Sequence, residues 1–376
     1  AVTPVCRLFL SLCATSLSYA ATSVEPLAGP WVVRGSDAVR VGVELPVAGD
    51  RLAYPGLELV AADDPERRWT PELATVRRPM RGTSMVATFR LAPDAVGAYR
   101  LHLGGDRGRA VRIAPLPASD EPGAVLIAGA AAYPTRSQID AARARMRGEL
   151  DLVVLLGNGA ERVLGREGWE ARVPVVLVDL AEERSPMLAA MAGPGGDWRG
   201  ALRCGRLGLP VAGVAARDRR ALAAGIAIAS DLSAWQVLLD PHATWRLDRA
   251  RDARATLLAD LLRVCRRRSV AVVVGAGPTW GFVSDPLMVA AEGRRPLPAP
   301  GGTRYVALPG GARELRDLPS TVARLHVEST VLAVHAGEDL ELTLIGAGGE
   351  ARWSLRYRPW PEHAHPPLDV DAPSRL

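Results

Sequence analysis

Few residues in this chain are of a type and spacing that could do chemistry. The six histidines are His102, His242, His326, His335, His363 and His365, and the sole asparagine is Asn158. His363-Ala364-His365 has the H-x-H spacing of a metal-binding pair, but it lies in a Pro-rich tail, where a solvated segment is expected. His102 and His326 alternate with apolar neighbours, which puts them on the polar face of their strands and predicts exposure. His242, in LDPHATW ahead of a long helical stretch, is the one histidine to test for activity. Asn158, Glu161 and Asp179 bring oxygen atoms that could meet a cation. One or two oxygen donors hold a hard cation only with several more beside them. Loop or helix-capping roles are the expectation for all three.

Other chemistries lack their residue sets. Gly275-Ala276-Gly277 follows an apolar run, but Gly281 falls one position too far for the third glycine of a dinucleotide loop, and no clean helix pattern follows. A Walker A phosphate loop needs a lysine, and the chain has none. Neither Ser230-Asp231 nor any other serine sits in a G-x-S-x-G turn. The expectation is no catalytic residue, no cofactor-binding residue and no metal ligand.

The charge pattern narrows the partners. There are 46 basic residues, all of them Arg, against 41 acidic ones, for a net charge of +5. The absence of Lys, the single Asn and the Ala/Arg/Gly/Pro richness are the mark of GC-rich codons, so the positive balance says little about function. Arg67-Arg68, Arg77-Arg78 and Arg294-Arg295 are scattered, whereas nucleic-acid binding concentrates charge on one face or element. Arg266-Arg267-Arg268 closes a helical pattern, where cations favour the negative end of the dipole. No nucleic-acid partner is expected. At the start, Arg7 precedes the apolar stretch Leu8 to Leu17 and the small-x-small site Ser18-Tyr19-Ala20, the pattern of a signal peptide over 1–20 and hence of export to the periplasm or the exterior. No later segment is long and uncharged enough to span a bilayer, so no transmembrane segment is expected in the mature chain. Cys6 and Cys13 would leave with the leader, and Leu12 before Cys13 does not suit a lipid anchor. Cys204 and Cys265 remain, as a disulfide of an oxidising compartment or as buried free thiols.

At 376 residues, with 48% hydrophobic and 23% charged residues, the chain fits two packed domains. From 24 to 114 the pattern is β. Val39, Val41, Val43 and Leu45 alternate with Arg40, Gly42 and Glu44, and Tyr99, Leu101 and Leu103 with Arg100 and His102, the period of half-buried strands punctuated by turns such as Ala48-Gly49-Asp50 and Gly104-Gly105-Asp106. This predicts an antiparallel β-sandwich. Residues 115–122, with flanking Ala114 reading APLPASDEP, form an interdomain linker. Beyond it, the apolar runs Ala124 to Ala128, Asp151 to Leu156, Val173 to Val178 and Val270 to Val274 alternate with helical stretches, as strands buried on both faces of an α/β domain do. The clearest helix spans Thr244 to Arg267, with Leu247, Leu257, Leu258, Leu261 and Cys265 on its apolar side. Strands return at Thr303 to Leu308, Thr321 to Glu328, Thr330 to His335, Asp339 to Leu344 and Ala351 to Tyr357, before a loose tail over 360–376.

This order resembles the calcineurin-like metallophosphoesterases that carry a purple-acid-phosphatase-type N-terminal domain. The resemblance implies a fibronectin-III-like sandwich over 24–114, then a four-layer α/β domain over 123–359 with two stacked sheets flanked by helices. It also implies metal ligands at the strand C-terminal ends, in motifs D-x-H, G-D, G-N-H-[DE], G-H and G-H-x-H. In AVLIAGAAAYP, Gly129 stands beside Ala130 and Ala132, where the family has Asp and His. DLVVLLGNGAE keeps Gly157 and has Asn158 in place of the bridging Asp. VPVVLVDLAEE shows Asp179-Leu180-Ala181-Glu182 where G-N-H-E belongs. VAVVVGAGPTW resembles V-V-V-G-H-H-P-x-W, with Gly275, Pro278 and Trp280 kept and Ala276 and Gly277 replacing both His. GGTRYVALPGG is similar to the family's G-x-x-Y-V-V-x-G-G-G, but no His lies between Trp280 and Gly301 for the last motif.

Such losses in the first coordination shell predict a pseudoenzyme: an exported, catalytically inactive protein with a binding or assembly role, whose partner is a protein or an anionic ligand. One alternative is an active phosphoesterase-type hydrolase with a rearranged site of Asn158, Asp179, Glu161 and His242 around one Mn, Fe or Zn. Another is a purely structural exported module.

Overall fold

The computed structural model describes residues 25–47, 56–78, 82–104, 108–129, 133–146, 148–157, 164–178, 189–191, 201–211, 234–240, 270–277, 281–283, 288–289, 297–298, 304–309, 323–325 and 330–357. The first eight strands are β1 (Ala28–Arg34), β2 (Val39–Pro46), β3 (Leu57–Ala61), β4 (Arg68–Trp69), β5 (Glu72–Arg78), β6 (Gly82–Leu91), β7 (Gly97–Leu103) and β8 (Arg109–Ile113). There follow β9 (Gly123–Gly129), helix α1 (Arg136–Arg145), β10 (Leu152–Leu156), a 3-10 turn at Trp169–Ala171, β11 (Val175–Val178), β12 (Ala201–Cys204), β13 (Leu207–Pro210), β14 (Trp235–Asp240) and β15 (Val272–Gly277). The remainder are β16 (Gly281–Val283), β17 (Met288–Val289), β18 (Leu297–Pro298), β19 (Arg304–Pro309), β20 (Ala323–Leu325), β21 (Val331–Ala336), β22 (Leu340–Ile345) and β23 (Ala351–Tyr357).

These strands build one long sheet with two others packed side by side on one of its faces. The long sheet has ten strands in the order β23-β22-β21-β9-β10-β11-β1-β2-β6-β5. Strands β9, β10 and β11 run parallel, as their unbroken apolar sequences require, and every residue of the three is buried. Opposite β1, β2, β6 and β5 lies the sheet β4-β3-β7-β8, and Val32, Val41, Val43 and Phe89 meet Leu59, Tyr99 and Leu101 between the two. Opposite β9 to β11 lies the sheet β12-β13-β14-β15-β19-β16-β20, and Ile127, Val154 and Val176 meet Leu209, Val237, Val272 and Val306 there. β17 and β18 form a separate two-stranded ribbon.

The other face of the long sheet carries a third core that crosses from the first half of the chain to the second. Trp31, Val33, Val76 and Val86 share it with Leu126, Val153, Leu155 and Val175, under Ile139 and Ala142 of α1, Trp169 and Met191. α1 starts on a capping box, in which the Thr135 side chain accepts from the Gln138 N–H and the Gln138 Oε1 accepts from the Thr135 N–H. Gln138 Nε2 also donates to the Ile345 carbonyl at 3.3 Å, tying the helix to β22. Residues 189–191 are helical as well. The helix expected over Thr244 to Arg267 lies outside the described residues.

The seam between the halves is backbone pairing, not only contact. β1 pairs parallel with β11 through Val33 and Val175, and the Gly29 N–H donates to the Gly165 carbonyl at 2.7 Å. Residues 115–122 are held along their length: Gly205 and Arg206 N–H groups donate to the Pro117 and Glu121 carbonyls, and Arg206 Nε donates to the Asp120 carbonyl at 2.8 Å. The buried Arg34 guanidinium donates to the Pro93 and Ala114 carbonyls.

One expectation fails here for a physical reason. The alternation in β2 predicts a half-buried strand, yet Arg40, Gly42 and Glu44 are buried as well. The face they occupy is covered by the third core, so their charges are met locally: Arg40 makes two hydrogen bonds to the Asp37 carboxylate, and Glu44 accepts from the Ser84 hydroxyl at 2.6 Å. Gly42 lies under the Trp31 indole, and a Cβ there would stand 2.4 Å from the ring. β7 behaves as predicted, with Tyr99, Leu101 and Leu103 buried and Arg100 exposed.

Because the Trp31 ring is fully buried, it has no room to yield. Gly42→Ala is expected to lower the unfolding free energy by about 1–3 kcal/mol or more through overpacking. Urea denaturation followed by far-UV circular dichroism measures this, and wild-type stability in the variant would contradict the packing described.

Candidate functional site

The place to look is the C-terminal edge of the parallel strands, where open α/β sheets carry their ligands. β9 ends at Gly129, in register with Leu156 of β10, and Leu156 is in register with Val178 of β11. The Gly157 N–H donates to the Val178 carbonyl at 3.0 Å, and Gly157 adopts φ +86°, a left-handed backbone that a side chain would strain. Three strands therefore finish level with one another. The residues next in sequence are Ala130, Asn158 and Asp179, which lie outside the described residues together with Ala132, Glu161, Glu182, His242, His326, His363, His365, Cys265, Pro278 and Trp280.

In the facing sheet, β14 ends on Asp240, paired with Gly275 of β15, and Gly275, Ala276 and Gly277 pair with Ala307, Leu308 and Pro309 of β19. Ala276 and Gly277 thus continue a paired strand instead of opening a loop. Asp240 is fully buried. The sequence signal for it is an acid closing the apolar run Val237 to Leu239, two residues before the His242 that drew attention instead.

Two further histidines fall among the described residues, both half-buried. His102 sits opposite Glu58 on the outward face of β7, and His335 sits opposite Glu341 in β21. They lie on different sheets and share no site. Among the described residues no group of three or more His, Cys, Asp or Glu could hold a metal ion, and no helix is long and apolar enough to cross a membrane.

Behind the strand ends sits a buried network that sequence reasoning missed. Glu170, in the 3-10 turn, is fully buried, and its Oε1 accepts from Tyr133 Oη at 2.7 Å, Gly165 N–H at 2.9 Å and Glu167 N–H at 3.3 Å. Tyr133 stacks on Trp169 with ring centres 5.4 Å apart, and Trp169 Nε1 donates to the Pro134 carbonyl. Burial, with Glu170 next, holds the Tyr133 phenol well above its ordinary pKa. A glutamate in a G-R-E-G-W-E stretch gives no periodic signal of burial, so nothing in the sequence singles it out.

At the opposite, N-terminal ends of the same strands, Asp151 Oδ2 accepts from the Ala124 N–H at 2.8 Å and lies 3.8 Å from the Cys204 Sγ. Cys204 is a buried free thiol. Burial, and the Asp151 charge after it, push that thiol up, so it stays protonated and unreactive at neutral pH. Burial also raises the Asp151 carboxyl from 3.8 to about 6, against the opposing pull of its hydrogen bonds from Ala124 and Cys204. The folded chain then holds this proton more tightly than the unfolded chain does. The resulting stabilisation is complete below about pH 4 and is lost as the pH rises through 6. Asp151→Asn, which keeps an acceptor for Ala124, is expected to remove that decline. Denaturation midpoints between pH 4 and 7 that fall equally in both proteins would contradict it.

No family model matches the chain, and no curated protein matches it by sequence. Among solved structures it is similar to a purple acid phosphatase isolated from yellow lupin (Lupinus luteus) seeds, at 11% identity and a TM-score of 0.55, over 88% of this chain and 74% of that one. It also matches GAP50, described as the anchor in the inner membrane complex of Plasmodium, at 9% identity and a TM-score of 0.42, over 64% of this chain and 90% of that one. Vps29 of Chaetomium thermophilum matches at 10% identity and a TM-score of 0.30, over 63% of this chain and all (100%) of that one. The lupin likeness carries the fold: this chain has a metallophosphoesterase-like architecture of the kind that purple acid phosphatase shows.

Proposed function

We propose that the chain is an exported binding or assembly protein built on a metallophosphoesterase frame, without the metal centre of a hydrolase. The observation that carries this reading is the donor chemistry at the level strand ends. Gly129, Gly157 and Gly275 stand where the resemblance places the metal-binding motifs, and the residues that follow them are Ala130, Asn158 and Ala276. Ala130, Ala132, Ala276 and Gly277 have no side-chain donor atom, and Asn158 offers a neutral amide where a bridging carboxylate is wanted. Two cations held roughly 3.5–4 Å apart need charged ligands from both sheets. The residues at those positions do not fit such a centre, and no hydrolytic step is derived through one.

In this reading residues 24–114 form a sandwich of the fibronectin-III kind and 123–359 the phosphoesterase-like body. A protein or anionic partner docks on the cleft or on the sandwich. Export rests on Arg7, the apolar stretch Leu8 to Leu17 and Ser18-Tyr19-Ala20.

Purified protein is expected to hydrolyse phosphomonoesters and phosphodiesters only at background rate in the presence of Mn, Fe or Zn; robust metal-dependent turnover would reject the reading. One observation favours a rearranged hydrolase instead: Asp240 puts a fully buried carboxylate at the end of β14, beside Gly275. That alternative, with Asn158, Glu161, Asp179 and His242 around a single ion, requires tightly held metal in stoichiometric amount, lost in Asp179→Ala, and elemental analysis decides between the two.

A further inference from the structure

We infer that Glu170 is the positioning residue for the returns behind the strand ends: one buried carboxylate oxygen holds Tyr133, which follows β9 in sequence, together with Gly165, which follows β10. The strands are neighbours, with Gly129 in register with Leu156. In sequence the first return, Tyr133 and Pro134, follows β9, and the second, Leu164 and Gly165, follows β10. Both returns donate to the same atom, Tyr133 through its hydroxyl and Gly165 through its N–H. Trp169, the neighbour of Glu170, binds the Pro134 carbonyl and stacks on Tyr133, so the first return is fixed at two consecutive residues. The second return is fixed from its other side as well, because the Gly165 carbonyl accepts from the Gly29 N–H at the start of β1. The two returns are thereby linked to the N-terminal half through Glu170, Gly165 and Gly29.

The division of labour within the carboxyl group is uneven. Oε1 accepts three donors, while among the described residues Oε2 is buried and has no hydrogen-bond partner. A carbonyl oxygen at the Oε1 position is therefore sufficient for the role, and a second charged oxygen adds no bond. Removing the acceptor altogether leaves three donors without this partner, and the cost is greatest for the buried Gly165 N–H. Glu170 plays this part whether the strand ends bind a partner or catalyse a reaction.

Hydrogen exchange of the full-length protein tests it, with Glu170→Ala, Glu170→Gln and Tyr133→Phe compared under native conditions. Glu170→Ala and Tyr133→Phe are expected to speed exchange about tenfold in peptides covering both 133–138 and 164–170, while peptides of β2 and β6 keep wild-type rates. Glu170→Gln, which retains the acceptor, is expected to exchange as wild type does. The inference is overturned if Tyr133→Phe loosens its own peptide and leaves 164–170 unchanged, or if Glu170→Gln is as loose as Glu170→Ala. Should Glu170→Ala not fold, the comparison of Tyr133→Phe with Glu170→Gln decides the matter alone.

Discussion

The parallel pairing of β1 with β11 is the contact on which the arrangement turns. A strand from the first quarter of the chain closes what would otherwise be an open edge of the β9-β10-β11 sheet, and an unpaired edge of hydrophobic strand is a template for aggregation. Once β1 is there, alternation does the rest. Val32 points into the core between β1 and the sheet opposite, while Trp31 and Val33 point the other way, into a core shared with Leu126, Val153 and Val175. The two halves therefore share a sheet and a hydrophobic core, which is a tighter union than a small polar interface between linked domains.

That union bears on function through the cleft. The strand ends at Gly129, Leu156 and Val178 are level because the pairing of β9, β10 and β11 has no register shift. Their level finish is set by strands buried on both faces. Glu170 adds to this frame through its bonds from Tyr133, Gly165 and Glu167. The binding role proposed for this chain places a surface of different chemistry at that edge.

Much of the frame was legible because it follows from hydrophobic periodicity. The apolar runs at Ala124 to Ala128, Asp151 to Leu156 and Val173 to Val178 became β9, β10 and β11, and Ala351 to Tyr357 became β23. The half-buried reading of β7 held because its outer face meets water. The same reading misjudged β2, whose polar residues Arg40 and Glu44 are buried beneath a core that lies elsewhere in the chain. Asp151, Glu170 and Asp240 went unnoticed for a related reason: a single acid carries no period, and its burial depends on what the rest of the chain lays over it.

The sequence by itself determined that the apolar runs ending at Ala128, Leu156 and Val178 would be strands buried on both faces, and which positions at their ends lack a donor atom. These are local properties, fixed by side-chain type and by the two-residue period of extended backbone. Only the tertiary structure decided that β1 would join β11, that Trp31 would lie across Gly42, and that Tyr133 and Gly165 would meet on one oxygen of Glu170. Each of these joins residues far apart in the chain or on separate elements, and their free energy comes from burial and hydrogen bonding that exist only after the sheets have packed.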